Sequence, residues 1–202
     1  MAEFLHAFKH LDQLVVSAGY AGLFVIVFSE TGLLVGFFLP GDSLLVTAGL
    51  LASQGVLNIV MLNVLLVFAA ILGDSTGYLI GHTAGPRLFK KEDSFFFKKE
   101  YLDRTHRFFE KHGGKTIVLA RFVPIVRTFA PTVAGVGRMS YRQFLSFNIL
   151  GGFLWVTGMT LIGYFLGRLV PDIEKHVHWV ILAVILLSFY PILHEALRSQ
   201  KK

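Results

Sequence analysis

The stretch FSETGLLVGFFLPGDSLL, Phe28 to Leu45, decides the fold: a glutamate stands inside an apolar run, and Pro40-Gly41-Asp42 breaks that run. A charge at the middle of a bilayer costs roughly 2.5 kcal/mol or more by insertion scales, so Glu30 and Asp42 are expected to face a cavity, a partner or a substrate. Outward along the chain, Lys115 to Arg138 repeats the pattern with the opposite sign, carrying Arg121, Pro124, Arg127 and Pro131 in an otherwise apolar segment. Irregular backbone at membrane depth is tolerated only where protein or a water-filled cavity satisfies its polar groups. Two broken segments in corresponding positions of two halves point to a transporter's midplane site.

Composition agrees with a membrane class. The 202 residues are 54% hydrophobic and 16% charged, with mean hydropathy +0.63, well beyond an ordinary soluble domain. The net charge of +6 sits mainly in segments flanking apolar runs, where it orients spans and meets anionic headgroups rather than nucleic acid. Without cysteine there is neither a disulfide framework nor a thiolate metal site. Residues 1–19, an amphipathic segment, lack a basic n-region and a small-residue cleavage site, which predicts a retained N-terminus.

The expected architecture is an all-α polytopic membrane protein. Two broken re-entrant helical hairpins of opposite orientation, at about 20–53 and 115–138, are each followed by transmembrane helices in an inverted-repeat arrangement like that of a transporter. The spans fall at about 56–81, 143–167 and 178–193; a span takes about 20 residues for a core of roughly 30 Å. The single membrane domain is 20–193, with a basic tail at 194–202. The hairpin breaks are Pro40, Gly41, Pro124 and Pro131. Lys and Arg crowd residues 87–115, and Arg198, Lys201 and Lys202 close the chain, so both regions are expected in the cytoplasm. Within the loop 86–114, Phe89, Phe95, Phe96, Phe97, Tyr101, Phe108 and Phe109 alternate with basic residues, as in helices lying at the interface. It reads as a topology anchor, or as a collar gathering anionic headgroups.

The first half contributes carboxylates, Glu30 and Asp42, and the second guanidinium groups, Arg121 and Arg127. These can neutralise each other in the empty site, and arginine presents a planar fork to phosphate oxygens. A purely structural ion-pair network is the bland reading of the same four residues. Asp74 is a secondary candidate, read as a helix-end or hydrogen-bonding residue. Gly73, Gly77, Gly81 and Gly85 recur every four residues and form a face for close helix packing; Gly163 and Gly167 repeat it. The eight histidines form no metalloprotease pattern, and G-x-S-x-G and Walker A motifs are absent. No metal, no cofactor and no enzyme activity are expected.

The runs FSETGLLVGFFLPGDSLL (28–45), FFEKHGGKTIVLARFVPIVRTFAPTVAGVGRM (108–139) and NILGGFLWV (148–156) resemble the DedA family of membrane proteins, which share the domain of SNARE-associated Golgi (VTT-domain) proteins. The resemblance implies lipid transport in the bacterial cytoplasmic (inner) membrane: return of undecaprenyl phosphate across it, or phospholipid translocation, linked to proton motive force. Arg121 and Arg127 would bind the substrate phosphate, and Glu30 and Asp42 would serve proton coupling or gating. Membrane lipids are then the partners, protons a coupled ion, and a homo-oligomer an open option. A scramblase, a proton- or cation-coupled exporter of small solutes, a lipid phosphatase and an assembly scaffold are the alternatives. The exporter would use the same carboxylates without dependence on a lipid headgroup.

Overall fold

The computed structural model describes residues 19–33, 41–88 and 114–169, apart from the side chains of 86–88, 124 and 125. Outside the described residues lie 1–18, 34–40, 89–113 and 170–202, and with them the N-terminal segment, Pro40, most of the aromatic and basic loop, the span expected at 178–193 and the basic tail. Among the described residues every element is a helix and there is no strand. They are α1 (19–32), α2 (Gly41–Ser53), α3 (Ile59–Leu88), α4 (Lys115–Ala120), α5 (Pro124–Val136) and α6 (Tyr141–Leu169).

Two of these, at Ile59–Gly85 and Tyr141–Leu169, are long and apolar enough to cross a membrane. Both carry exposed apolar side chains along their length: Val60, Val64, Phe68 and Leu72 on α3, and Ile149, Phe153, Ile162 and Phe165 on α6. Such faces suit hydrocarbon, because the helical backbone has already satisfied its own polar groups.

Local sequence sets the helix ends. Gly55, at φ +81°, closes α2: its N–H bonds to Ala52 O at 3.2 Å and the Val56 N–H to Leu51 O at 3.1 Å, the two bonds of a Schellman stop. Asn58 then starts α3, its Oδ1 accepting from the Val60 and Met61 N–H groups at 3.0 Å each, an N-cap. The expectation placed the end of this helix at Gly81, but it continues to Leu88. Tertiary contact against the glycine face outweighs glycine's poor helix propensity.

The second broken segment breaks once. Arg121, Phe122 and Val123 wind through i to i−3 bonds of 3.3, 3.2 and 3.0 Å, and Pro124 opens α5 at its first turn, where the missing N–H is harmless. Pro131, expected as a further break, instead lies inside a continuous α5. Its ring is buried against Gly77, which leaves room for it. Gly41, expected as part of the first break, is the first residue of α2.

The described chain divides into two compact units interleaved in sequence. The first comprises 19–26, 41–66 and 156–169. Here α2, buried from Gly41 to Ala52, lies on the second half of α6. A Cβ on Gly49 would strike the Thr160 carbonyl, one on Gly163 the Val46 carbonyl, and one on Gly167 the side chains of Leu50 and Ser53. Thr160 also donates to Asn63 Oδ1 at 3.0 Å.

The second unit comprises 27–33, 67–88 and 114–155. In it α5 lies on α3 in the same way: a Cβ on Gly135 would strike the Tyr78 carbonyl, one on Gly81 the Thr132 carbonyl, and one on Gly85 Val136. The registers match position by position. Along the short helices the offset is always 86 residues (46 to 132, 49 to 135, 50 to 136), and along the long helices always 82 (163 to 81, 160 to 78, 167 to 85). The same supersecondary contact is therefore built twice by one chain. In this unit Tyr78, Ile117, Ala134, Met139 and Phe144 form an apolar core cluster, and the Tyr78 hydroxyl donates to the Met139 carbonyl.

Candidate functional site

The second unit holds three buried charges and one partly buried, Arg127, in two ion pairs. Arg121, the residue that caps α4, donates through Nη2 to Asp74 Oδ2 on α3 and to Asn148 Oδ1 on α6 at 2.5 Å. Arg127, on the first turn of α5, donates through Nη2 to Glu30 Oε1 on α1 at 2.5 Å. Asn148 is itself fixed, because its Nδ2 donates to the Ile71 carbonyl at 3.1 Å.

Beneath both guanidinium groups lies one indole. The Cζ of Arg127 is 4.7 Å, and that of Arg121 5.7 Å, from the centroid of the Trp155 ring, inside the roughly 6 Å range of cation–π attraction. Trp155 is 1% exposed. Asn148, Gly151, Gly152 and Trp155 are spaced i, i+3, i+4 and i+7, so α6 offers them on a single face. A Cβ on Gly151 would lie 3.4 Å from Arg121 Nε, and one on Gly152 3.8 Å from its Cζ. An alanine methyl at either position would meet the Arg121 side chain at ordinary van der Waals distance, and a larger side chain would crowd it.

Two positive and two negative charges cancel, as burial requires, since an unpaired charge in this setting would be strongly disfavoured. Thr31, Asp74, Ile117, Arg121, Arg127, Ala130 and Pro131 surround a residual space of about 10 Å³, room for about one water centre. The arrangement is self-neutralised.

The sequence reading named three of these four charges as primary. Glu30, Arg121 and Arg127 come together in one unit, with Glu30 on Arg127. Asp74, read from sequence as a helix-end or hydrogen-bonding residue, is a hydrogen-bonding one and lies far from either end: α3 runs past Gly81, leaving Asp74 about 22 Å from Ile59 and about 17 Å from Gly85 at 1.5 Å per residue. Asp74 takes the place by Arg121 that the sequence reading had given to the Glu30 and Asp42 pair. Asp42 belongs to the first unit, in the first turn of α2 and 8% exposed. Asn148 and Trp155 were missed as site residues. Their signal is the spacing N-x-x-G-G-x-x-W in 148–155, which only a helical reading turns into one face. Among the described residues no group of three metal-binding side chains is close enough to hold an ion.

The VTT domain matches residues 39–165, more than half of the chain and the segment that supplies Asp74, both arginines, Asn148 and Trp155. The chain belongs to the VTT-domain, or DedA, family. It is 50% identical over 202 residues to Protein DedA of Escherichia coli (strain K12), covering 98% of this chain and 92% of that one. It is 51% identical over 184 residues to an uncharacterized membrane protein of Mycobacterium tuberculosis (strain ATCC 25618 / H37Rv), with coverage of 90% and 80%. Inner membrane protein YqjA of Escherichia coli (strain K12) is 40% identical over 149 residues, 74% of this chain and 68% of that one. No solved structure gives a significant match. This DedA-family chain is accordingly a bacterial inner-membrane protein.

Proposed function

We propose that the protein carries an anionic phospho-lipid headgroup across the inner membrane, with undecaprenyl phosphate recycling as the leading case and the proton gradient as the drive. The carrying observation is the pair of arginines over Trp155, one buried and one partly buried, each paired with a carboxylate. Arginine is suited to a phosphoryl group through bidentate, charge-assisted hydrogen bonds. A carboxylate held on an arginine is a competitor that must be displaced or protonated before the phosphate can take that arginine. Such competition resets the site after release, which is what a carrier needs.

The acyl or isoprenoid tail stays in lipid. Val126, Phe129 and Val133 project from one exposed face of α5, with exposed Phe122 in the turn before it, and Arg127 follows Val126 at the border between that face and buried Thr128. A headgroup can therefore reach Arg127 sideways while its tail remains along apolar side chains. The duplicated contact of α2 with α6 and of α5 with α3 supports the inverted-repeat reading, in which each half provides a broken hairpin and alternating access follows from exchange between equivalent arrangements. Asp42, buried at the first turn of α2, is the gating candidate of the first unit.

The test is headgroup translocation in proteoliposomes, wild type beside Arg127→Ala and Glu30→Gln, with and without a pH gradient. Selective movement of undecaprenyl phosphate, abolished by both substitutions, supports the proposal. Equal movement of all lipids favours a scramblase. A folded protein that moves solute but no lipid favours the exporter.

A further inference from the structure

Arg121 and Arg127 are held differently, and we infer that they do different jobs: Arg121 is a fixed positioning residue, and Arg127 is the arm that leaves Glu30 to take the phosphoryl group. This rests on the phosphoryl-lipid reading above and specifies how that site works.

Arg121 is tied to two helices at once, to Asp74 on α3 and to Asn148 on α6. Asn148 in turn bonds Ile71 O on α3, so the side chain that holds the guanidinium also ties the two helices together. The Arg121 side chain lies beside Gly151 and Gly152 and is 3% exposed. Freeing it would break bonds to two elements and leave Asp74 buried with its charge uncompensated, which is strongly unfavourable.

Arg127 stands elsewhere in the same pocket. Its side chain is 10% exposed, next to Val126 at the edge of the exposed apolar face of α5, and its carboxylate partner comes from α1. A headgroup arriving from lipid meets Arg127 first. Because the four charges sum to zero, one negative charge brought by the phosphoryl group takes the place of one carboxylate, and Glu30 is the one standing on the mobile arm. Asp74 and Asn148 keep Arg121 fixed throughout, as a permanent counter-charge behind the exchange.

The two carboxylates then answer neutralisation with opposite signs. In the full-length protein in neutral detergent, with Trp179→Phe so that Trp155 is the remaining tryptophan of the two, dioctanoyl phosphatidic acid is titrated and Trp155 emission is read. Glu30→Gln removes the competitor and is expected to tighten binding about tenfold, a change of about one decade in Kd. Asp74→Asn and Asn148→Ala loosen Arg121 and are expected to weaken it about tenfold, with Asn148→Gln, which keeps the amide, recovering part of the loss. Equal tightening by Glu30→Gln and Asp74→Asn would show the arginines to be equivalent and overturn the inference while leaving the phosphoryl reading in place. Glu30→Gln that weakens binding or leaves it unchanged overturns the inference by itself, whatever the other variants do. No response of the folded Trp179→Phe protein to the probe overturns the phosphoryl reading and this inference with it.

Discussion

Replacing Asp74 by asparagine keeps the shape of the side chain and removes its charge, which isolates the ion pair with Arg121. Asp74 and Arg121 are 4% and 3% exposed, so the variant leaves a buried guanidinium facing only neutral Asn148 from those two contacts. Removing one partner of a buried pair costs about 3 to 5 kcal/mol, and the surviving Asn148 bond places the expected loss at the low end, about 3 kcal/mol. That is roughly a hundredfold change in the folded-to-unfolded ratio at about 1.4 kcal/mol per decade. Neutral hydrogen bonds between membrane helices average only about 0.6 kcal/mol, so a loss of this size identifies a stranded charge rather than a lost hydrogen bond. The assay is reversible unfolding in mixed micelles as the fraction of denaturing detergent rises. The double variant Asp74→Leu with Arg121→Met is the control, since an apolar replacement of a buried pair is often neutral or stabilising. It is expected to regain stability and to lose transport. Wild-type stability in Asp74→Asn would refute the reasoning, because it would mean that Arg121 is not a buried charge dependent on this carboxylate.

Gly49→Ala and Gly135→Ala place a methyl group against the Thr160 and Tyr78 carbonyls respectively; each is expected to destabilise by about 1 to 3 kcal/mol in the same assay. Arg138 occupies a left-handed conformation at φ 54° in a helix stop whose bonds run from Arg138 N to Gly135 O and from Met139 N to Ala134 O. Gly55 fills the same role after α2, so Arg138→Gly is expected to stabilise by about 1 kcal/mol. Tyr78→Phe removes the donor to the Met139 carbonyl and should lower the unfolding midpoint by the equivalent of about 1 to 2 kcal/mol, with transport retained.

Much of the fold is legible in the sequence because membrane physics is strict. Apolar length marks the two long helices, and Pro124 marks the break between α4 and α5 because it supplies no N–H to continue the preceding ladder. The ladder from Gly73 to Gly85 is legible as a packing face, and the packing it permits carries α3 past its expected end at Gly81 to Leu88. Pro131 misleads, since packing against Gly77 accommodates its ring without breaking α5. At the site, the charges within apolar runs are visible as anomalies, but their pairing is not. Which carboxylate meets which arginine depends on helix register across the unit. Asp74 looks peripheral until the true length of α3 puts it far from both ends. Asn148 and Trp155 carry no charge to flag them, and only their shared face on α6 shows what they hold.

The most direct measurement of the central claim compares undecaprenyl phosphate with its uncharged alcohol in proteoliposomes. Translocation is followed for wild type and for Arg127→Gln, which keeps a polar side chain and removes the charge. The account predicts that wild type moves the phosphate and not the alcohol, and that Arg127→Gln moves neither above the protein-free rate. Equal movement of both lipids, or phosphate movement that survives loss of the Arg127 charge, would contradict it.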